Sequence, residues 1–276
     1  MILVTGATGN VGRNLVTTLH SAGHLVRALA RNIRPRDVPD GVETIAADIT
    51  DPNSLNAALD GVESAFLFPV FGRISTFLHT ARQHRISHMV MLSSGAVAFD
   101  EPGWIGEQHS LLEQQVNASG IPAAFVRPDV FMANDLAWAP SIQQTGTVKL
   151  AYPAAATTPV DERDIAAVAA HALINRTENT SYEITGPESV TQAERVSTLA
   201  DVLGRSIELV ELTPDEAALD LQQSMPAEAA AFLLNSLRAR TQEPAIPNDT
   251  IQHVTGTPAH NYREWATNRR DAFGPR

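Results

Sequence analysis

The first dozen residues constrain this chain more than any other stretch. Ile2-Leu3-Val4 is a short apolar run that leads directly into Gly6, Gly9 and Gly12, three glycines spaced three apart. Apolar residues then recur with helical spacing at Val11, Leu15, Val16 and Leu19. The run predicts a fully buried strand, the glycines a turn, and the periodicity a helix. A strand that turns through glycine into a helix N-terminus is an anion site, because free amides and the positive end of the helix dipole converge there. Glycine also lets the backbone approach a pyrophosphate without a Cβ in the way. A Walker phosphate loop is excluded, since Gly12 is followed by Arg13-Asn14 rather than by lysine and a hydroxyl residue. The segment reads as a dinucleotide site, with Gly6, Thr8, Gly9, Asn10 and Val11 as its candidate contacts, although the spacing G-x-x-G-x-x-G differs from the dehydrogenase form.

Strand and helix patterns alternate through the first two thirds of the chain. Strands are expected at Leu25–Ala30, Glu43–Ala46, Ser64–Phe68, His88–Ser93, Ala123–Val126 and Tyr182–Thr185. Helices are expected from Pro52 (capped by Asp51) to Leu59, then at Ser75–His84, Glu107–Ala118 and Asp164–Ile174. Such alternation predicts an α/β fold, a doubly wound parallel sheet. After Gly186 the pattern becomes mainly helical, at Thr191–Leu203, Pro214–Gln222 and Ala227–Arg240, with a short strand at Glu208–Leu212. The expected division is a dinucleotide-binding unit over 1–186 and a smaller substrate or lid unit over 187–276, with 131–158 contributing to the substrate side.

Acidic residues outnumber basic ones by 31 to 20, for a formal net charge of −11. That argues against a nucleic-acid surface, which needs a basic patch. Without cysteine there are no disulfides or thiolate metal sites. No apolar run approaches the roughly 20 residues of a membrane span. A strand starting at Met1 leaves no room for a signal peptide, and a cytoplasmic location is expected. His20 with His24, and His84 with His88, have metal-like spacing but lack a third ligand, so no metal site is expected.

Further motifs follow in order: Val26-Arg27-Ala28-Leu29-Ala30-Arg31-Asn32, Ala47-Asp48-Ile49-Thr50-Asp51, Leu92-Ser93-Ser94-Gly95 and His109-Ser110-Leu111-Leu112-Glu113. Ser119-Gly120-Ile121-Pro122, Val126-Arg127-Pro128 and Val160-Asp161-Glu162-Arg163-Asp164-Ile165-Ala166 complete the series. With the glycine turn, their order and spacing resemble the NmrA-like atypical short-chain dehydrogenase/reductases, which include NAD(P)H-dependent quinone oxidoreductases. The resemblance spans nearly the whole chain. It implies a Rossmann fold and an NAD(P)H cofactor. It also implies that Asp48 meets the adenine amino group with Ile49 beside the ring; the alternative for Asp48 is bonding to its own turn.

The end of the second strand distinguishes the two dinucleotides. A carboxylate there binds the ribose 2′-hydroxyl of NAD, and an arginine favours the 2′-phosphate of NADP. The strand here runs into Arg31-Asn32, with Arg34 and Arg36 following and no carboxylate before Asp37. NADP(H) is therefore expected over NAD(H), with Arg31 as the main contact. Phe68 and Pro69, at the end of the fourth strand, are expected to wall the cofactor.

The Tyr-x-x-x-Lys pair of ordinary short-chain dehydrogenases is impossible. Lys149 is the only lysine, and four residues beyond Tyr152, Tyr182 and Tyr262 stand Ala156, Gly186 and Ala266. In its place His109 and Glu113 stand four apart on one helical face, within hydrogen-bonding reach. As a pair they would raise the imidazole pKa and make His109 a proton donor or a substrate-orienting group; the alternative is a surface pair. Ser93 and Ser94 read either as hydroxyls for a substrate oxygen or as a strand-to-loop turn. Trp104, Phe131, Met132 and Trp138 would suit a flat aromatic substrate, although taken singly each reads first as ordinary packing.

These features favour an NADPH-dependent oxidoreductase that passes hydride to a quinone-like or conjugated small molecule. A quinone accepts hydride to give a stabilised hydroquinone anion, so a strong local acid is less needed. A tailoring reductase of secondary metabolism is a close variant. The rival is a non-catalytic NADP(H)-binding redox sensor that acts through a protein partner. The oligomeric state, monomer or homodimer, is left open.

Overall fold

The computed structural model describes residues 1–274. Seven strands form one parallel sheet: β1 (Ile2–Thr5), β2 (Val26–Ala30), β3 (Glu43–Ala46), β4 (Ser64–Leu67), β5 (His88–Leu92), β6 (Ala123–Pro128) and, after two strands outside it, β9 (Thr180–Ile184). The two outside strands are β7 (Thr147–Leu150) and β8 (Ala156–Thr157); β10 (Val190–Thr191) and β11 (Glu208–Glu211) follow later. The order within the sheet is β3-β2-β1-β4-β5-β6-β9. Helices α1 (Asn10–Ser21), α2 (Pro52–Leu59), α3 (Ser75–Gln83), α4 (Gly103–Ala118), α5 (Ala139–Thr145) and α6 (Glu162–Ile174) punctuate these strands. Helices α7 (Gln192–Leu203), α8 (Pro214–Leu221), α9 (Ala227–Arg240), α10 (Thr250–Thr255), α11 (Tyr262–Asn268) and α12 (Arg270–Phe273) complete the chain.

Because side chains alternate along a strand, each central strand feeds two cores. Ile2 and Val4 join Val11, Leu15, Leu19 and the inner face of α6 in one layer. Leu3 points the other way, into the layer made with Leu55, Phe77, Leu112 and Val116 of α2, α3 and α4. This is the doubly wound architecture that the alternating pattern predicts. Strand order reverses beside β1, which pairs with β2 on one side and β4 on the other. The connections leaving β1 and β4 diverge to opposite faces and open a crevice at the carboxyl edge. Thr5 ties the two strand ends together: its hydroxyl donates to the Phe66 carbonyl at 3.1 Å and accepts from the Phe68 amide at 2.8 Å.

The later part of the chain builds a third core, in which β7 pairs in parallel with β11 and Met132, Ile142, Val148, Leu199 and Trp265 pack together. Buried polar contacts tie it down. Asp135 accepts from Arg195 at 2.8 Å and from the Tyr262 hydroxyl at 2.6 Å. Glu162 accepts from Trp265 Nε1 at 3.0 Å and from Arg269. Asp164 accepts from the His260 amide at 2.8 Å and pairs with its Nδ1 at 2.6 Å. The chain also returns to the sheet, since Ile251 of α10 enters the first core.

Several boundaries differ from the sequence expectation. The second strand begins at Val26, leaving Leu25 exposed. The fourth and fifth strands end one residue early, at Leu67 and Leu92, and the sixth runs on to Pro128 beside β9. The helix expected from Glu107 starts at Gly103, where Phe232 of α9 packs against its first turn and no side chain caps it. Strand β7 carries no strong pattern of its own and exists through its pairing with β11. The helices beyond Arg240 are short and were not anticipated.

The glycine turn is fixed by close packing. Gly6 has φ +64°, a left-handed conformation that suits glycine. A Cβ on Gly12 would stand 2.2 Å from the Gly6 carbonyl oxygen and 2.9 Å from Ala7 Cα, both backbone atoms that cannot swing aside. Helix α1 therefore rests directly on the loop it follows. We expect Gly12→Ala to cost about 1–3 kcal/mol of stability, as overpacking does. Urea unfolding measures it, and an unchanged midpoint would refute the contact.

Candidate functional site

A cleft of about 450 Å³ opens at the switch point between β1 and β4. Gly6, Thr8, Gly9, Arg31, Asp48, Ile49 and Phe68 all line it, so one cavity gathers seven of the residues singled out from the sequence. Asn10 and Val11 sit behind the loop at the start of α1. Val11 buries its side chain in the first core, so only its backbone can serve a ligand. Pro69 is half-buried beside Phe68 and does not line the cleft.

The start of α1 meets the cleft at Gly9. Helix α1 has Gly9 at its N-cap position and no side-chain cap. The amides of Asn10, Val11 and Gly12 find no backbone acceptor among the described residues. An α-helix leaves such donors for a cap, water or a ligand, and their partial positive charge suits an anion. A dinucleotide's diphosphate suits such a helix start.

At the other end of the cleft Arg31 and Arg73 are exposed and without a carboxylate partner among the described residues. The first acidic side chain after Arg31, Asp37, is occupied, accepting from the Arg34 amide at 2.9 Å. Asp48 takes its local role: Oδ1 accepts from the Thr50 amide at 2.8 Å and the Thr50 hydroxyl at 2.7 Å. These bonds are the main reason its carboxyl is held below the usual range, and Arg31 and Arg73 act in the same direction. Oδ2 has no partner among the described residues and stays open to the cleft. Arg73 was not singled out from the sequence, because nothing in the pattern around it shows that its loop folds back over β3.

The carboxyl end of β5 corrects the sequence expectation for His109 and Glu113. They do not pair. Glu113 accepts from the Ser93 hydroxyl at 2.5 Å and from Arg127 Nε and Nη2 at 2.9 and 2.6 Å. Arg127 is the counter-charge of this buried carboxylate, and its own pKa is raised by the hydrogen bonding to Glu113. The Ser93 hydroxyl has one proton, and that proton goes to Glu113, so the oxygen is left as an acceptor. Ser94 turns its oxygen to the Ala96 amide at 3.2 Å and caps the short 3-10 turn Gly95–Ala98. Arg127, the penultimate residue of β6 and fourteen from Glu113, carries no local signal of this contact.

His109 stands alone on α4. It is 8% exposed, and its Nδ1 is sealed without a partner. Burial pushes the imidazole pKa down to about 4, with Glu113 opposing weakly. The expected rise is reversed, because a desolvated cation costs more than an unbonded carboxylate returns. The ring is neutral at physiological pH. A sealed Nδ1 is less costly as a bare lone pair than as an unmade N–H, which places the proton on Nε2. Phe71 meets this ring edge-on at 5.1 Å and meets Trp104 edge-on at 5.5 Å. The other flagged aromatics pack elsewhere. Met132 and Trp138 belong to the third core, with Arg195 over the Trp138 ring, and Phe131 packs against the first core. Tyr262 is no acid either, since burial raises its pKa well above the ordinary value.

A sheet with this switch point, and an uncapped helix over its glycine loop, defines a Rossmann dinucleotide-binding protein. The NAD(P)H-binding family matches residues 6–176. A (4-alkanoyl-5-oxo-2,5-dihydrofuran-3-yl)methyl phosphate reductase of Streptomyces griseus is 39% identical over the full length of both chains. An NAD(P)H azoreductase of Xenophilus azovorans is 34% identical over 99% of each. The fold is shared with an NADPH-dependent quinone oxidoreductase of Escherichia coli complexed with NADPH. That pair has a TM-score of 0.80 at 22% identity, covering 97% of this chain and 99% of that one. The chain belongs to the NAD(P)H-binding family, among the NmrA-like atypical short-chain dehydrogenase/reductases, and is an NAD(P)H-dependent oxidoreductase. Among the described residues no helix is long and apolar enough to cross a membrane.

The state of His109 has a pH signature. An imidazole ordinarily titrates near 6.5, whereas His109 in the fold takes a proton only near pH 4. Between those values the unfolded chain binds a proton that the folded chain does not. The stability is present above pH 6.5 and is lost as pH falls toward 4, by up to about 1.4 kcal/mol per pH unit. His88 is shifted the same way by burial, so the comparison must be with His109→Phe. We expect the urea midpoint of the variant to fall less steeply over this range; parallel curves would show that His109 titrates normally.

Proposed function

We propose that this protein is an NADPH-dependent reductase of conjugated small molecules, quinones and enones in particular. One observation carries the cofactor half of the reading: the uncapped N-terminus of α1 and the unpaired Arg31 guanidinium line the same cleft. The loop from Gly6 to Val11 receives the diphosphate. Arg31 pairs with the ribose 2′-phosphate through charge-assisted bonds and sets the preference over NADH. Asp48 offers its free oxygen to the adenine amino group with Ile49 beside the ring, and Phe68 walls the cleft. The bound cofactor supplies the hydride.

The chain's own residues at the reacting end are neutral or acceptor-only. Ser93 accepts a hydrogen bond and holds an N–H or O–H group in place. His109 offers an uncharged Nε2–H to a substrate oxygen. Glu113 positions Ser93, and Ser94 shapes the loop beside it. Such a site lacks a charged acid, which suits acceptors whose reduced form is stabilised by conjugation. The relatives described above are named for reduction of azo compounds and of an unsaturated furanone, both conjugated acceptors. Residues 1–186 hold the cofactor in this reading, and 187–276 with 131–158 close over the substrate.

Purified protein mixed with NADPH and a panel of quinones and enones tests the reading through loss of absorbance of the reduced cofactor. Turnover with NADPH above NADH is expected, and Arg31→Ala should reduce that ratio about tenfold, the effect of losing a charge-assisted contact. Binding of the nucleotide with no oxidation by any acceptor would instead indicate a redox-responsive binding protein. An unchanged ratio in Arg31→Ala would remove that residue from the phosphate.

A further inference from the structure

The connection from β4 to α3 contains a tight turn, Val70–Arg73, closed by the Arg73 amide donating to the Val70 carbonyl at 3.1 Å. Its third residue, Gly72, has φ +68°, a left-handed conformation that such a turn gives to glycine. The feet of the turn, Val70 and Arg73, line the nucleotide cleft. Phe71, at its tip, meets His109 and Trp104 of α4 instead. The turn thus joins the cofactor cleft to the imidazole.

This contact differs from ordinary packing. The Phe71 ring stands at 89° to His109 and 82° to Trp104, so the rings form a corner rather than a stack. A planar guest fits such a corner by lying against one ring and turning its edge to another. Phe71 is 37% exposed, a large apolar side chain left partly uncovered although it touches two rings. His109 Nδ1 is sealed but Nε2 is not, and neither nitrogen has a hydrogen-bond partner among the described residues. An apolar corner therefore has an open N–H donor beside it.

The α4 side of the corner is fixed in advance. A Cβ on Gly106 would stand 2.5 Å from the Ala96 carbonyl oxygen, and one on Gly103 would stand 2.2 Å from the Phe232 ring. The first turns of α4 are pressed between the loop after β5 and α9, which holds the indole and imidazole without help from a ligand. Such preorganisation lowers the cost of binding.

We propose that Phe71, Trp104 and His109 seat an aryl-fused carbonyl acceptor, with Phe71 selecting aromatic over aliphatic acceptors. The seat depends on the reductase reading above, whose substrate class it names. The fused ring lies against Phe71 with its edge toward Trp104, and the carbonyl oxygen accepts from His109 Nε2. An aliphatic enone makes the same hydrogen bond but gains nothing from the ring face.

Steady-state oxidation of NADPH by the full chain, with a naphthoquinone and with cyclohexenone, tests this. Phe71→Ala and Phe71→Leu should each lower the naphthoquinone-to-cyclohexenone ratio of kcat/KM about tenfold, through KM for the quinone, because leucine keeps apolar bulk without a flat face. Phe71→Tyr should restore the ratio to within about twofold of wild type, since it keeps the flat face. Phe71 does not line the nucleotide cleft, so NADP+ affinity, read by calorimetry, should not follow the quinone. A loss of NADP+ affinity equal to the loss with the quinone overturns the seat and makes Phe71 a prop of the cofactor cleft. A ratio unchanged in Phe71→Leu, or turnover of the enone without the quinone, also overturns the seat and leaves the reductase reading standing. A wild-type chain that oxidises NADPH with no acceptor overturns both.

Discussion

The contact between the start of α1 and the turn before it organises the site. With no Cβ at Gly12, the helix backbone settles onto the Gly6 carbonyl, and Gly9, at its uncapped start, lines the crevice. Thr5 holds the neighbouring strand ends at matching heights, so the amides, Phe68 and the ends of β2 and β3 frame one cavity. A side chain at that helix position would strike the Gly6 carbonyl and part the helix from the loop. The anion site is thus a consequence of packing as much as of charge.

A second constraint operates at the carboxyl end of β5. Glu113 is buried, and Arg127 compensates its charge across two elements. Removing one partner of such a pair leaves an uncompensated charge, so the chain of Ser93, Glu113 and Arg127 holds its donor and acceptor roles at the end of β5. The imidazole one turn away has no such partner, and desolvation governs it instead. One helix thus holds a carboxylate bonded from outside the helix and, four residues away, a histidine kept neutral by burial.

The legible parts were those written in local pattern. Alternation of apolar runs with helical periods specified the sheet, and the glycine turn, Arg31, Asp48, Ile49 and Phe68 fell at its strand ends and gathered in one cleft. The misreadings share a cause. Spacing places His109 and Glu113 on one helical face, but side-chain direction followed Ser93 and Arg127, which lie elsewhere in the chain. Likewise β7 is a strand only because β11 lies beside it, and Arg73 reaches the cleft only because its loop folds back.

The amino-acid sequence on its own determined the doubly wound sheet, the glycine turn and the absence of a tyrosine–lysine acid, because these depend on periodicity, on residue size and on a residue count. Tertiary structure alone decided which carboxylate meets which cation, which imidazole nitrogen is sealed, and that Phe71 meets His109. Those outcomes turn on desolvation and on partners distant in the chain, and neither leaves a mark in local spacing.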